Sequence, residues 1–210
     1  MILSVSRRTD IPAFYSDWFY NRIREGFLYV RNPMNAHQIS RIDLSPEVVD
    51  CIVFWSKNPT PMLERLDELE RYDYYFQFTI TGFGRDMEPN LPDKRAVLIP
   101  TFQQLSQRLG KERVIWRYDP IALNGQYTAD YHERAFRTIA DELAGYTEKA
   151  VISFVDLYAK TQRNLAGQKV RETSDGEMLE LAERMVRIAS ERDLAVESCA
   201  EHIDLHSVGV

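Results

Sequence analysis

The sequence predicts an α/β protein: a partial TIM-like (β/α)6 barrel of parallel strands with one inserted β-hairpin. Three observations carry this expectation. Near-continuous apolar runs rich in β-branched and aromatic residues recur along the chain, and longer amphipathic stretches separate them. No glycine-rich nucleotide loop follows the first run, where Ser6-Arg7-Arg8-Thr9-Asp10 stands instead. A run that is apolar on both faces belongs in a sheet covered on both sides, and strand–helix alternation makes that sheet parallel. Right-handed crossovers then give a barrel-like arc or an open doubly wound sheet, and the missing nucleotide loop takes weight from the second.

Taken in order, the predicted strands are Ile2–Ser6, Cys51–Ser56, Tyr74–Thr81, Val114–Tyr118, Ala150–Asp156 and Ala195–Cys199. Between them, Phe136, Ile139, Ala140 and Leu143 step at helical spacing, as do Met178, Leu181, Ala182, Met185 and Ile188. Further helices are expected over Asp17–Glu25, closed by Gly26; over Pro61–Leu69, with proline in the first turn; and from about Thr101 to Leu109, closed by Gly110. Leu28–Leu44, with Asn32-Pro33-Met34-Asn35 between two extended runs, reads as a hairpin ahead of the second strand.

Composition narrows the class. The chain has 210 residues, 44% hydrophobic and 28% charged, which excludes disordered and collagen-like sequences and predicts one domain over residues 1–210. Lys and Arg total 26 against 32 Asp and Glu, so the net charge of −6 argues against broad binding to nucleic acid or an anionic membrane. No apolar run approaches the roughly 18 residues of a membrane span, and the start turns polar too soon for a signal peptide. A cytoplasmic chain with two reduced thiols, Cys51 and Cys199, is expected.

In either α/β architecture ligands gather at the carboxyl ends of the strands. There the sequence places Arg7, Arg8 and Asp10; Lys57 and Asn58; Thr81; Arg117 and Asp119; Asp156; and Glu197 and Glu201. Glu197, Cys199 and Glu201 alternate with period two, which turns them to one face, toward the interior of a barrel. Charges in an apolar strand require partners, and Arg7, Arg8 and Lys57 are the expected ones. Two readings follow: a structural salt-bridge layer, or a polar pocket for a small anionic or zwitterionic ligand.

Other candidates are weaker. Cys199, Glu201, His202, Asp204 and His206 collect metal-ligand types, but on no helix that would align them, so no metal site is assigned. His132 lies among Asp130, Glu133 and Arg134 and is expected on a solvated helix face, and His37 on the hairpin surface. The run Phe14, Tyr15, Trp18, Phe19 and Tyr20 is expected to serve mainly as core. No Ser-His-Asp order, phosphate-binding loop or nucleophile elbow occurs.

Six separated strings, in order, also carry a family likeness: SRRTDIPAFYSDWF (Ser6–Phe19), REGFLYVRNPMN (Arg24–Asn35), DCIVFWSKNPTPML (Asp50–Leu63), YYFQFTITGFGRDMEPN (Tyr74–Asn90), RVIWRYDPI (Arg113–Ile121) and SCAEHIDL (Ser198–Leu205). Together they resemble the uncharacterised domain-of-unknown-function family 1848 over nearly the whole chain. The resemblance implies relatives that continue into a C-terminal cysteine cluster similar to that of radical S-adenosylmethionine enzymes. It therefore implies an iron-sulfur cluster and S-adenosylmethionine as cofactors of full-length relatives, and none within this chain, whose two cysteines cannot supply three thiolates. The leading expectation is the barrel portion of such an enzyme, inactive alone. The others are a cluster-free ligand-binding or regulatory module and, last, a metal hydrolase using Glu201, His202 and His206.

Overall fold

Eight strands form in the computed structural model, which describes residues 1–5, 9–35, 37–158, 161, 163, 165–199 and 201–210. They are β1 (Ile2–Val5), β2 (Phe27–Arg31), β3 (Ile39–Asp43), β4 (Cys51–Ser56), β5 (Tyr74–Thr79), β6 (Val114–Ile121), β7 (Lys149–Phe154) and β8 (Ala195–Ser198). Six of them make one sheet in the order β1-β4-β5-β6-β7-β8, with parallel registers such as Ile2↔Cys51, Trp116↔Ala150 and Lys149↔Ala195. The other two pair antiparallel from Phe27↔Asp43 to Arg31↔Ile39, which is the expected hairpin. Among the described residues β1 and β8 end the sheet, and no pairing between them closes it into a barrel.

Residues 1–77 and 78–210 are two compact units. In the first, Asp10 caps a short helix α1 (Ile11–Phe14) by accepting from the Ala13 N–H at 3.0 Å. Helix α2 (Ser16–Glu25) ends at Gly26, whose φ of 75° is the left-handed conformation that glycine adopts without strain. Only part of the aromatic run is core. Phe19 and Tyr20 are buried, Phe19 meeting Phe54 edge-on at 5.3 Å, whereas Phe14, Tyr15 and Trp18 lie on the exposed side. The predicted helix Pro61–Leu69 is instead a 3-10 segment, Thr60–Leu69. Its buried Leu63, Leu66 and Leu69 recur every three residues, the period that a 3-10 turn, not an α-turn, aligns on one face.

In the second unit, α3 (Ile99–Leu109) follows a π-turn over Lys94–Leu98, so the helical segment starts well before the predicted Thr101. Pro100 sits in the first turn of α3, where its missing N–H is tolerated. Helix α4 (Ala129–Leu143) is capped by Thr128, and α5 (Asp175–Ser190) by a reciprocal capping box of Ser174 and Glu177. Strand β6 runs past the predicted Tyr118 to Ile121 with a register shift, and β7 stops at Phe154, short of Asp156. The core packs Trp116 on Phe136 at 4.6 Å, with Tyr118 edge-on to the same ring.

One expectation is overturned outright. His132 is fully buried, not solvated, because it stands one helical turn before Phe136 on the apolar face of α4, while Asp130, Glu133 and Arg134 occupy the other side.

Candidate functional site

Strand β6 delivers Arg117 and Asp119 to the carboxyl end of the sheet. Arg117 is 5% exposed, and its guanidinium donates to Asp119 Oδ2 from Nε at 3.0 Å and from the terminal nitrogen at 2.5 Å. The other carboxylate oxygen accepts from Ser153 Oγ on β7. Of the partners expected for the charged strand residues, Arg7 and Arg8 lie outside the described residues, and the acid of this strand is met by Arg117, two residues before it. Two-residue spacing returns a side chain to the same face, so the pair forms locally. Ser153, a lone hydroxyl in an apolar run, was the overlooked signal.

Arg117, Val151 and Glu197 are lateral neighbours across β6, β7 and β8 and share one face. Glu197 is nevertheless exposed, not enclosed, because β8 ends the sheet, and it pairs with Lys149 Nζ at 2.8 Å. Cys199 is likewise exposed. Only Glu201 of that alternating trio turns inward, where its carboxylate accepts the Phe154 N–H at 2.8 Å. Burial raises its proton affinity above the ordinary carboxylate range, and the charges of Asp156 and Asp119 add to the effect, while the Phe154 N–H and His202 oppose it.

Beside Phe154 lies a cavity of about 320 Å³ whose polar wall is Asp156, Glu172, Thr173, Asp175 and His202, with Met178 at its side. His202 and Asp175, both in its lining, are joined at 3.0 Å between Nε2 and Oδ1. Thr173 Oγ1 is buried there with no hydrogen-bond partner among the described residues. Neither Thr173 nor Glu172 carried a sequence signal, since both lie in a loop.

The remaining predicted residues are placed as follows. Asp10, in the first unit, is consumed structurally: besides capping α1 it accepts from Ser56 Oγ and the Lys57 N–H, both at 2.8 Å. Asn58 closes its own turn, its amide oxygen accepting from Thr60 Oγ1 at 2.6 Å. Thr81 is buried in the turn after β5 and donates to Glu88 at 2.9 Å. Arg7 and Arg8 lie outside the described residues.

Three thiolates for an iron-sulfur cluster are not present, since the sequence has only Cys51 and Cys199. These two form no disulfide, and among the described residues no three His, Cys, Asp or Glu side chains gather to hold a metal ion. No described helix is long and apolar enough to cross a membrane.

A six-stranded parallel sheet with helices between its strands defines an α/β protein. The chain belongs to the family described as domain of unknown function DUF1848, whose model matches residues 2–210. No curated protein and no solved structure matches it significantly.

Proposed function

We propose that this chain is a ligand-binding α/β domain, one arc of a partial barrel over its whole length, that takes a small zwitterionic or amine-bearing molecule at the carboxyl ends of β6 to β8. The observation that carries this reading is the crowding of carboxylates there. Glu201 stands within the fields of Asp156 and Asp119, and Asp156, Glu172 and Asp175 line the adjoining cavity together with the unpartnered Thr173 hydroxyl. A bound ammonium group would relieve that repulsion. Of the two expected ligand charges, the zwitterionic one is favoured here, because Arg117 already spends its charge on Asp119.

The likeness to radical S-adenosylmethionine enzymes expected of longer relatives agrees with a barrel-like scaffold, but no radical step follows from the residues of this chain, which lack the three thiolates. The test is thermal unfolding of the full chain against a panel of amino acids, primary amines and simple carboxylates. Stabilisation by members bearing an ammonium group, lost in Asp156→Asn, is the expected result. A melting temperature unmoved across the panel, or a shift retained in the variant, overturns the proposal.

A further inference from the structure

The loop that follows β5 is braced at many points by side chains from outside it. Lys94 Nζ donates to the carbonyls of Thr81 at 2.8 Å and Phe83 at 2.5 Å, and to the Glu88 carboxylate at 2.6 Å. Tyr131 donates its hydroxyl proton to the Gly82 carbonyl at 2.7 Å, and Gln168 Nε2 donates to the Asp86 carbonyl at 2.9 Å. The Gly84 N–H donates to the Tyr127 hydroxyl at 2.9 Å, which in turn donates to Asp86 at 2.5 Å. A Cβ on Gly84 would stand 2.8 Å from Asp86 Oδ1 and 3.2 Å from the Tyr127 hydroxyl, so a side chain here would push on that hydrogen-bonded pair. Such bracing fixes a loop before anything binds, which lowers the ordering cost of binding.

What the braced loop presents is a cavity of about 280 Å³ whose lining includes Arg85 and Arg95 together with the apolar Phe83, Leu91 and Pro92. The acids of the lining are engaged: Glu88 is bound by Lys94 and Thr81, and Asp93 accepts the Ala96 N–H at 2.7 Å. Arg85 and Arg95 make no ion pair or hydrogen bond with any described residue, in a chain whose net charge is −6. Three cations against two carboxylates line this one cavity, and the two guanidiniums are the groups left to act.

We propose that this cavity is an anion site separate from the one proposed above: Arg85 and Arg95 hold the oxyanion of a small organic phosphate or carboxylate whose apolar body rests on Phe83, Leu91 and Pro92. The guanidinium fork matches both oxyanions, and the volume, roughly nine water volumes at ~30 Å³ each, admits a headgroup with a small ring or short chain.

Calorimetric titration of the full chain with phenyl phosphate, benzoate and inorganic phosphate tests this. Saturable binding of phenyl phosphate or benzoate is expected, weakened by at least about tenfold in the Arg85→Ala/Arg95→Ala double variant. Phenyl phosphate ahead of benzoate would make the natural ligand a phosphate ester, and the reverse order a carboxylate. Both side chains are exposed, so the variant is expected to melt as the wild type does, which separates lost binding from lost fold. No heat from either organic anion at millimolar concentration, or affinity unchanged in the double variant, overturns the site. Inorganic phosphate binding as tightly as phenyl phosphate overturns its apolar half.

Discussion

Tyr118 and His132 are joined inside the core by a hydrogen bond of 2.9 Å between the phenol oxygen and Nδ1. On the far side of the ring Nε2 lies 3.2 Å from the Ala122 carbonyl, which can only accept, so Nε2 carries the proton and Nδ1 accepts from Tyr118. The network ties β6 to α4 and to the turn after β6 through one neutral imidazole.

Tyr118→Phe therefore leaves Nδ1 without a donor and is expected to cost about 1 to 2 kcal/mol, while His132→Ala, which also opens a cavity, is expected to cost about 2 to 4 kcal/mol. Urea unfolding midpoints measure both. Equal stability of Tyr118→Phe and wild type would deny the bond its role.

The same histidine sets a pH dependence. Burial lowers its proton affinity below the ordinary value near 6.5, with the Ala122 bond opposing. In the unfolded chain the ring regains that value and binds a proton the native core refuses. Stability is accordingly full above pH 6.5 and falls as pH drops from there toward the depressed native value. His132→Gln should flatten this slope in urea midpoints taken between about pH 5 and about pH 8.

Glu201 behaves in the opposite sense. Its native proton affinity is raised above the ordinary 4.5, so its stabilising contribution is present below that pH and is lost as pH rises through the native value. Glu201→Gln keeps an acceptor for the Phe154 N–H but no charge. Relative to wild type, it should gain stability on going from acid to neutral pH, and a wild type and variant with parallel melting profiles would refute this.

Arg117→Ala should lower stability by about 3 kcal/mol or more, since it removes one partner of a buried ion pair. The loss is expected with and without added phosphate. A loss seen only when phosphate is present would return Arg117 to the role of ligand-binding residue.

Gly82 tests the packing of α4 on the loop after β5. A Cβ there would meet Ala135 Cβ and Tyr118 Oη, each at 2.7 Å, so Gly82→Ala is expected to cost about 1 to 3 kcal/mol. Gly125, with nothing within 4 Å of its ideal Cβ, is the control, and Gly125→Ala should stay within about 0.5 kcal/mol.

The sequence by itself determined the parallel α/β plan, the hairpin and the placing of polar residues at strand ends, because these follow from local period. A run such as Cys51–Ser56, apolar on both faces, can only sit inside a sheet, and Met178, Leu181, Met185 and Ile188 can only share a helix face. Tertiary structure alone decided which polar residues meet. Asp119 meets Ser153 of the next strand, Glu197 stays in solvent because β8 ends the sheet, and His132 enters the core on the apolar side of α4. Thr173 in one proposed site and Arg85 in the other come from loops, whose course is set by long-range bonds such as Lys94 to Phe83 and Gln168 to Asp86, not by any sequence period.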